Sequence, residues 1–132
     1  MKRVVIRGSR RFKDEIIDFA AKLRDEKVIV CEPLLADIDW GKEYRENPER
    51  ALLMATGLNK RHLASIEMAD VVFIFNKGGY IGVSTAFELG FARRAHKSIW
   101  FLEVPSVNEL WERDEAEKVV DRPSDVAHFL RD

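Results

Sequence analysis

Four stretches of the chain are apolar at consecutive positions and rich in Val, Ile and Phe: RVVIR (3–7), KVIVCE (27–32), DVVFIF (70–75) and SIWFLE (98–103). A strand with one wet face alternates polar and apolar residues, so runs that are apolar on both parities predict strands covered on both faces. Between and after them lie helix-like segments: FKDEIIDFAAKLRDE (12–26), PERALLMATGLNKRHLASIEMA (48–69), STAFELGFARRAH (84–96), VNELWERDEAEK (107–118) and PSDVAHFLRD (123–132). Pro48 suits a helical first turn, and Gly57 is a candidate break or bend in the long second segment. KVVDR, at 118–122, is a candidate fifth strand.

Strand alternating with helix predicts right-handed crossovers, and hence a parallel sheet with helices on both sides. The expected class is α/β: a flavodoxin-like or Rossmann-like three-layer sandwich with a parallel sheet of four to five strands. In such a sheet ligands bind beyond the carboxyl ends of the strands, where strand order reverses. Each residue with chemistry to offer is therefore sorted first by the edge on which it falls.

Composition narrows the partners. A chain of 132 residues is long enough for one core, so a single domain over 1–132 is expected. With 34% charged residues but a formal net charge of -1, the chain lacks the Lys and Arg excess that a phosphate backbone demands. No nucleic-acid polymer is expected as partner, and any phosphate site should be small and local. Cys31 is the only cysteine and lies in an apolar run, which excludes a disulfide framework and argues against a Cys-based zinc site. It reads as a buried small hydrophobe. The apolar part of MKRVVIRGS is too short for a signal peptide, and no apolar run approaches the ~18 residues of a membrane span. A cytoplasmic protein with no membrane partner, no metal and no cofactor is expected.

The first strand runs into RGSRRF (7–12) at the ligand edge. Gly8 allows close backbone approach, Ser9 offers a hydroxyl and an amide, and Arg10 and Arg11 can fork onto phosphate oxygens. Equally, Ser9 can cap the next helix beside two solvated arginines. The third strand runs into NKGGYIGVST (76–85), where Gly78, Gly79 and Gly82 precede Ser84 and Thr85 at a helix start. Free amides and hydroxyls at the positive end of a helix dipole suit an anion, though the spacing is neither the dinucleotide fingerprint nor the P-loop.

Glu88 has two readings. Thr85-Ala86-Phe87-Glu88 is a capping box, in which Glu88 reaches back to the Thr85 amide. Alternatively, Glu88 lies about one turn into a helix that opens at the ligand edge, where a carboxylate meets a bound sugar. Position alone leaves the cap the stronger reading. Asp70 opens its strand and so falls at the opposite edge. His62 lies on the helix before that strand, partway back toward the ligand edge; a lone helical His reads first as structural or solvated, and second, for its near-neutral pKa, as a group for proton transfer. The connection PLLADIDWGKEYRENPE (33–49) reads as a lid, with Trp40 either stacking on a base or packing on the protein's own surface. His128, in the closing segment, reads as solvated.

RGSRRF, RHLASIEMADVVFIF and GGYIGVSTAFELGFARRAHKSIWFL together resemble the nucleoside 2-deoxyribosyltransferase-like proteins, which include the 2′-deoxynucleoside 5′-phosphate N-hydrolases. The last segment is the specific one, with its Gly-rich turn, short spacer, Glu-Leu-Gly-x-Ala and basic turn into the next strand. The resemblance implies that Glu88 attacks the anomeric carbon, as in a retaining glycosidase. It also implies that Gly8, Ser9, Arg11, Gly82 and Ser84 line a sugar or 5′-phosphate pocket. Gly79, Tyr80 and Trp40 complete the candidate substrate-binding set. One position departs: family members commonly carry an aspartate two turns before the AD of the third strand, and this chain has His62. An imidazole cannot position or repel like a carboxylate.

The expected function is cleavage or transfer of the N-glycosidic bond of a nucleoside or nucleoside 5′-monophosphate, with Glu88 and His62 as catalytic residues. A homodimer or higher homo-oligomer is expected from the resemblance and from the general prevalence of symmetric assemblies. The rival expectation is a nucleotide-binding sensor that does not cleave, which the His62 departure favours.

Overall fold

The computed structural model describes residues 2–33, 38–105 and 117–131. Strands β1 (Arg3–Gly8), β2 (Ile29–Cys31), β3 (Val71–Phe75), β4 (Ser98–Phe101) and β5 (Lys118–Val119) form one parallel sheet in the order β2-β1-β3-β4-β5. The helices are α1 (Lys13–Asp25), α2 (Trp40–Glu46), α3 (Pro48–Met68), α4 (Val83–Arg94) and α5 (Pro123–Arg131). The chain moves outward from β1 to β2 and then crosses back past β1 to β3. Strand order therefore reverses between β1 and β3, in the flavodoxin-like pattern.

Side-chain alternation along the central strands makes the three layers. Val4, Ile6, Val71, Phe73 and Phe75 pack with Ile16, Phe19 and Leu23 of α1 and with Val126 and Leu130 of α5. Val5, Val72, Ile74, Ile99 and Phe101 face the other way, onto Ile66 of α3 and Leu89 and Ala92 of α4. β3 is buried at all of its positions, as a central strand apolar on both parities should be. Arg7 shares the parity of Val5, so its side chain enters the α3/α4 layer, where the pattern otherwise places hydrophobes.

The edges depart from expectation. β2 has a neighbour on one side only, and its residues are exposed or half-buried rather than covered on both faces. Cys31, at its end, is correspondingly exposed and not the buried hydrophobe that its apolar run predicts. KVVDR does supply the fifth strand, with Trp100 paired to Lys118. Apart from Glu117 and Lys118, the helix-like segment 107–118 lies outside the described residues.

The connection 33–49 is not a plain loop, because α2 occupies much of it. Asp39 caps α2 by accepting from the Lys42 amide at 3.0 Å, and Asn47 caps α3 by accepting from the Arg50 amide at 3.1 Å, with Pro48 in the first turn. Two consecutive capping signals thus restart the helix where composition suggested a lid; positions 34–37 lie outside the described residues. Gly57 does not interrupt α3: no atom lies within 4 Å of the place a Cβ would take there. Among the described residues no helix is long and apolar enough to cross a membrane.

Candidate functional site

At the end of β1 the chain has no room for a side chain. A Cβ on Gly8 would lie 2.9 Å from the Phe75 carbonyl oxygen and 3.0 Å from Ile16 Cδ1. Glycine there lets β1 meet β3 and turn at once, bringing Ser9 and Arg10 to the reversal point. Ser9 then caps the 3₁₀ turn Arg10–Phe12, its Oγ accepting from the Arg11 amide at 3.3 Å.

The glycine loop after β3 is built from the other side. Gly78 and Gly79 take φ values of 67° and 80°, a left-handed conformation that favours glycine. The turn is pinned by Asn76 and Glu103: Asn76 Nδ2 donates to the Glu103 carbonyl at 2.7 Å, and Glu103 Oε2 accepts from the Gly78 amide at 2.7 Å. Tyr80 follows, with the Arg11 guanidinium 3.7 Å from its ring centroid and Phe12 against its edge. Gly82 is the N-cap of α4, and a Cβ there would meet the Tyr80 hydroxyl at 3.4 Å. α4 has neither a side-chain cap nor an acidic residue in its first turn. The Val83, Ser84 and Thr85 amides thus lack an acceptor within the helix, at its positive end.

Since α4 begins at Val83, Thr85 already lies inside it and is no N-cap, and the capping-box reading of Glu88 fails. Glu88 instead points inward with 6% of its surface exposed, its Oε2 2.7 Å from Arg7 Nε. The two form a buried ion pair, and Arg7 both attracts the carboxylate and hydrogen-bonds to it. His62 Nδ1 stands 3.9 Å from the same oxygen. Arg7 is also tied to α3, where its Nη2 donates to the His62 carbonyl at 3.1 Å and to Ser65 Oγ. Ser65 Oγ in turn donates to that carbonyl at 2.7 Å.

Burial shifts all three titratable groups toward their neutral forms. The Glu88 carboxyl rises above its ordinary 4.5 because burial outweighs the opposing pull of Arg7. His62 falls below 6.5, through burial first and then through the Arg7 and Arg61 cations. Burial likewise lowers Arg7 below the ordinary guanidinium value, against the pull of Glu88.

Glu88 and His62 line a cavity of about 630 Å³, bounded by the end of β1, by the loop after β3, by α2 and α3 and by the start of α4. Of the expected residues, the cavity brings together Gly8, Ser9, Trp40, His62, Tyr80, Gly82, Ser84 and Glu88. Arg11 and Gly79 are not on its wall: Arg11 lies on the Tyr80 ring and Gly79 is buried in the turn. Arg10 is the arginine that reaches the cavity, and Asn59 joins it from α3. A larger cavity of about 1060 Å³ lies beside α1 and β5, lined by charged side chains such as Asp14, Asp18 and Asp121. It lacks the buried carboxylate and the strand-order reversal, so size alone does not make it the candidate site.

Arg7 was not among the expected site residues. Its signal is a charge at a core-facing parity of a central strand, a position that demands a buried partner.

Neither a protein-family model nor a curated protein matches the sequence. A solved structure is similar in fold: the Clostridium botulinum CMP N-glycosidase BcmB superposes with a TM-score of 0.57 at 16% sequence identity, over 98% of each chain. The likeness extends over nearly the whole described architecture, and at that identity it is a likeness of fold.

Proposed function

We propose that the protein cleaves the N-glycosidic bond of a nucleoside or nucleoside 5′-monophosphate, with Glu88 as nucleophile. The observation that carries this reading is a carboxylate buried to 6% exposure at the strand-order reversal, facing a ligand-sized cavity and flanked by an imidazole. The fold shared with a CMP N-glycosidase supports the same chemistry.

In the first step a Glu88 oxygen bonds to the anomeric carbon while the bond from that carbon to the base nitrogen breaks. The electron pair leaves with the base, which takes up a proton from solvent, and the proton that water later gives to His62 returns to solvent. Covalent capture replaces one difficult displacement with two easier ones. In the second step water attacks the same carbon, the ester bond to Glu88 breaks, and the carboxylate is restored. His62, held neutral near pH 7 by its lowered pKa, suits the removal of the proton from that water. The open amides of α4 and the Arg10 side chain would receive a 5′-phosphate.

A second reading, a module that binds a nucleotide without cleaving it, has one observation in its favour: the Glu88 charge is already engaged by Arg7 at 2.7 Å. One experiment separates the two. The protein is incubated with ribo- and deoxyribonucleosides and their 5′-monophosphates, and free base is measured beside binding. Release from at least one member supports cleavage. Binding throughout with no free base would leave the sensor.

A further inference from the structure

We propose that Arg7 is the positioning residue for Glu88, holding one carboxylate oxygen so that the other is presented to the ligand. Arg7 is 1% exposed and links three elements. Nη1 donates to the Ile6 carbonyl of β1 at 2.8 Å, and Nη2 is tied on α3 to the His62 carbonyl at 3.1 Å and to Ser65 Oγ. A guanidinium is a rigid planar fork, so fixing both of its ends fixes the direction of the remaining nitrogen. That nitrogen, Nε, lies 2.7 Å from Glu88 Oε2 on α4.

The neighbouring His62 contact, at 3.9 Å, falls on Oε2 as well. Oε1 is therefore the oxygen left to an incoming anomeric carbon. The groups around the carboxylate are Arg7 from β1 and His62 from α3, with Arg61 beyond His62 and Cys31 at the end of β2 acting on Arg7. Of these, Arg7 supplies the contacting positive charge, and it opposes the neutralisation that burial would otherwise impose on Glu88. A neutral carboxylic acid does not attack carbon, so the same contact that aims Glu88 keeps it reactive.

The kinetic part of the test rests on the proposed cleavage by Glu88, whereas the titration part does not. Arg7→Met and Arg7→Lys are compared with wild type. In ligand-free protein the Glu88 carboxyl carbon is titrated by ¹³C NMR, its signal assigned by loss in Glu88→Gln. Arg7→Met should move the midpoint upward by about 1–3 pH units, carrying the acid limb of the pH–rate profile with it. Arg7→Lys keeps the charge but not the fork. Its midpoint should stay near that of wild type, while kcat falls roughly 10- to 100-fold with little change in KM.

The Arg7→Met titration reads the charge that Arg7 holds against Glu88, and Arg7→Lys reads the positioning: a residue serving stability alone would leave kcat of folded Arg7→Lys near wild type. An unmoved Glu88 midpoint in Arg7→Met overturns the proposal. If Arg7→Met does not fold, Arg7→Lys decides, and a wild-type kcat there overturns it. If wild type releases no base from any substrate, the cleavage reading fails, while the titration still tests the hold of Arg7 on Glu88.

Discussion

Glu88 and Arg7 are two charges that neither face of a sheet sandwich tolerates singly. Burying a carboxylate or a guanidinium alone costs several kcal/mol, and breaking a buried pair by deleting one member commonly costs about 3–5 kcal/mol. Glu88→Gln should be milder, at about 1–3 kcal/mol, because Arg7 keeps the Ile6 and His62 carbonyls and Ser65 as acceptors. The same variant should lose turnover by roughly 10³-fold or more, since an amide oxygen attacks an anomeric carbon poorly. Chemical denaturation beside a base-release assay checks both, and an active Glu88→Gln would end the nucleophile reading.

His62 and Glu88 also predict opposite slopes of stability with pH. The folded state holds His62 below 6.5, so on acidification the unfolded chain binds that proton first, and stability falls as pH drops from about 6.5 toward the folded value. Glu88 sits above 4.5 when folded, so its contribution is full below about 4.5 and is lost as pH rises through the folded value. His62→Asn should flatten the first dependence and Glu88→Gln the second, in denaturation series from about pH 4 to pH 8. A His62→Asn curve parallel to wild type would contradict the burial of that imidazole. Glu88 was legible as an isolated carboxylate among apolar residues. Its partner was not, because RVVIRG is apolar on both parities, which hides the face that Arg7 must occupy.

Among the elements, those buried on both faces were the most legible, since β1 and β3 need nothing beyond hydrophobicity to declare themselves. The ends of elements were less so, because a cap depends on one or two polar residues. Asp39 and Asn47 restart the helix inside a connection whose aromatic and acidic composition suggested a loop. Thr85 offered a convincing cap, but α4 opens two residues earlier, at Val83 after Gly82. Gly8 illustrates the same coupling between an end and its surroundings. Sequence reading assigns it to ligand approach, yet the nearest obstacle to a Cβ is the Phe75 carbonyl at 2.9 Å, a backbone atom of the paired strand that cannot swing aside. Gly8→Ala should therefore cost about 1–3 kcal/mol of stability with no ligand present, as overpacking does. A denaturation midpoint equal to wild type would show that β1 and β3 can separate at that edge.

The 3₁₀ turn after β1 decides which arginine faces the cavity. Arg10 lines the cavity, its Nη2 also donating to the Ile38 carbonyl at 3.3 Å, whereas Arg11 is turned onto Tyr80. Arg10→Ala should weaken a 5′-monophosphate by about 1.5–3 kcal/mol while leaving the matching nucleoside little changed. Arg11→Ala should affect both ligands alike, through the Tyr80 ring. Calorimetric titration of each variant with the two ligands distinguishes the pair, and the reverse pattern would return the phosphate to Arg11.

For the whole molecule, the parallel sheet and its order made the location of the candidate site readable before its chemistry. Residues 7–10, 59–62 and 80–88 are far apart along the chain, yet β1, α3 and the β3–α4 connection bring them to one carboxyl edge. A ligand there touches segments that the unfolded chain does not hold together, so it binds the folded state alone. By linkage, a nucleotide at about 100 times its Kd should stabilise the protein by about 2.7 kcal/mol. For a domain of this size, that is a rise of roughly 10 °C or more in Tm. Glu88→Gln should keep most of this shift while losing turnover, because its oxygen and amide still fill the place of the carboxylate. Binding and chemistry are then read from two instruments on one variant. A Tm that no nucleoside or monophosphate raises, in wild type or variant, would mean that the cavity at the strand reversal is not a nucleotide site, whatever Glu88 is able to do there.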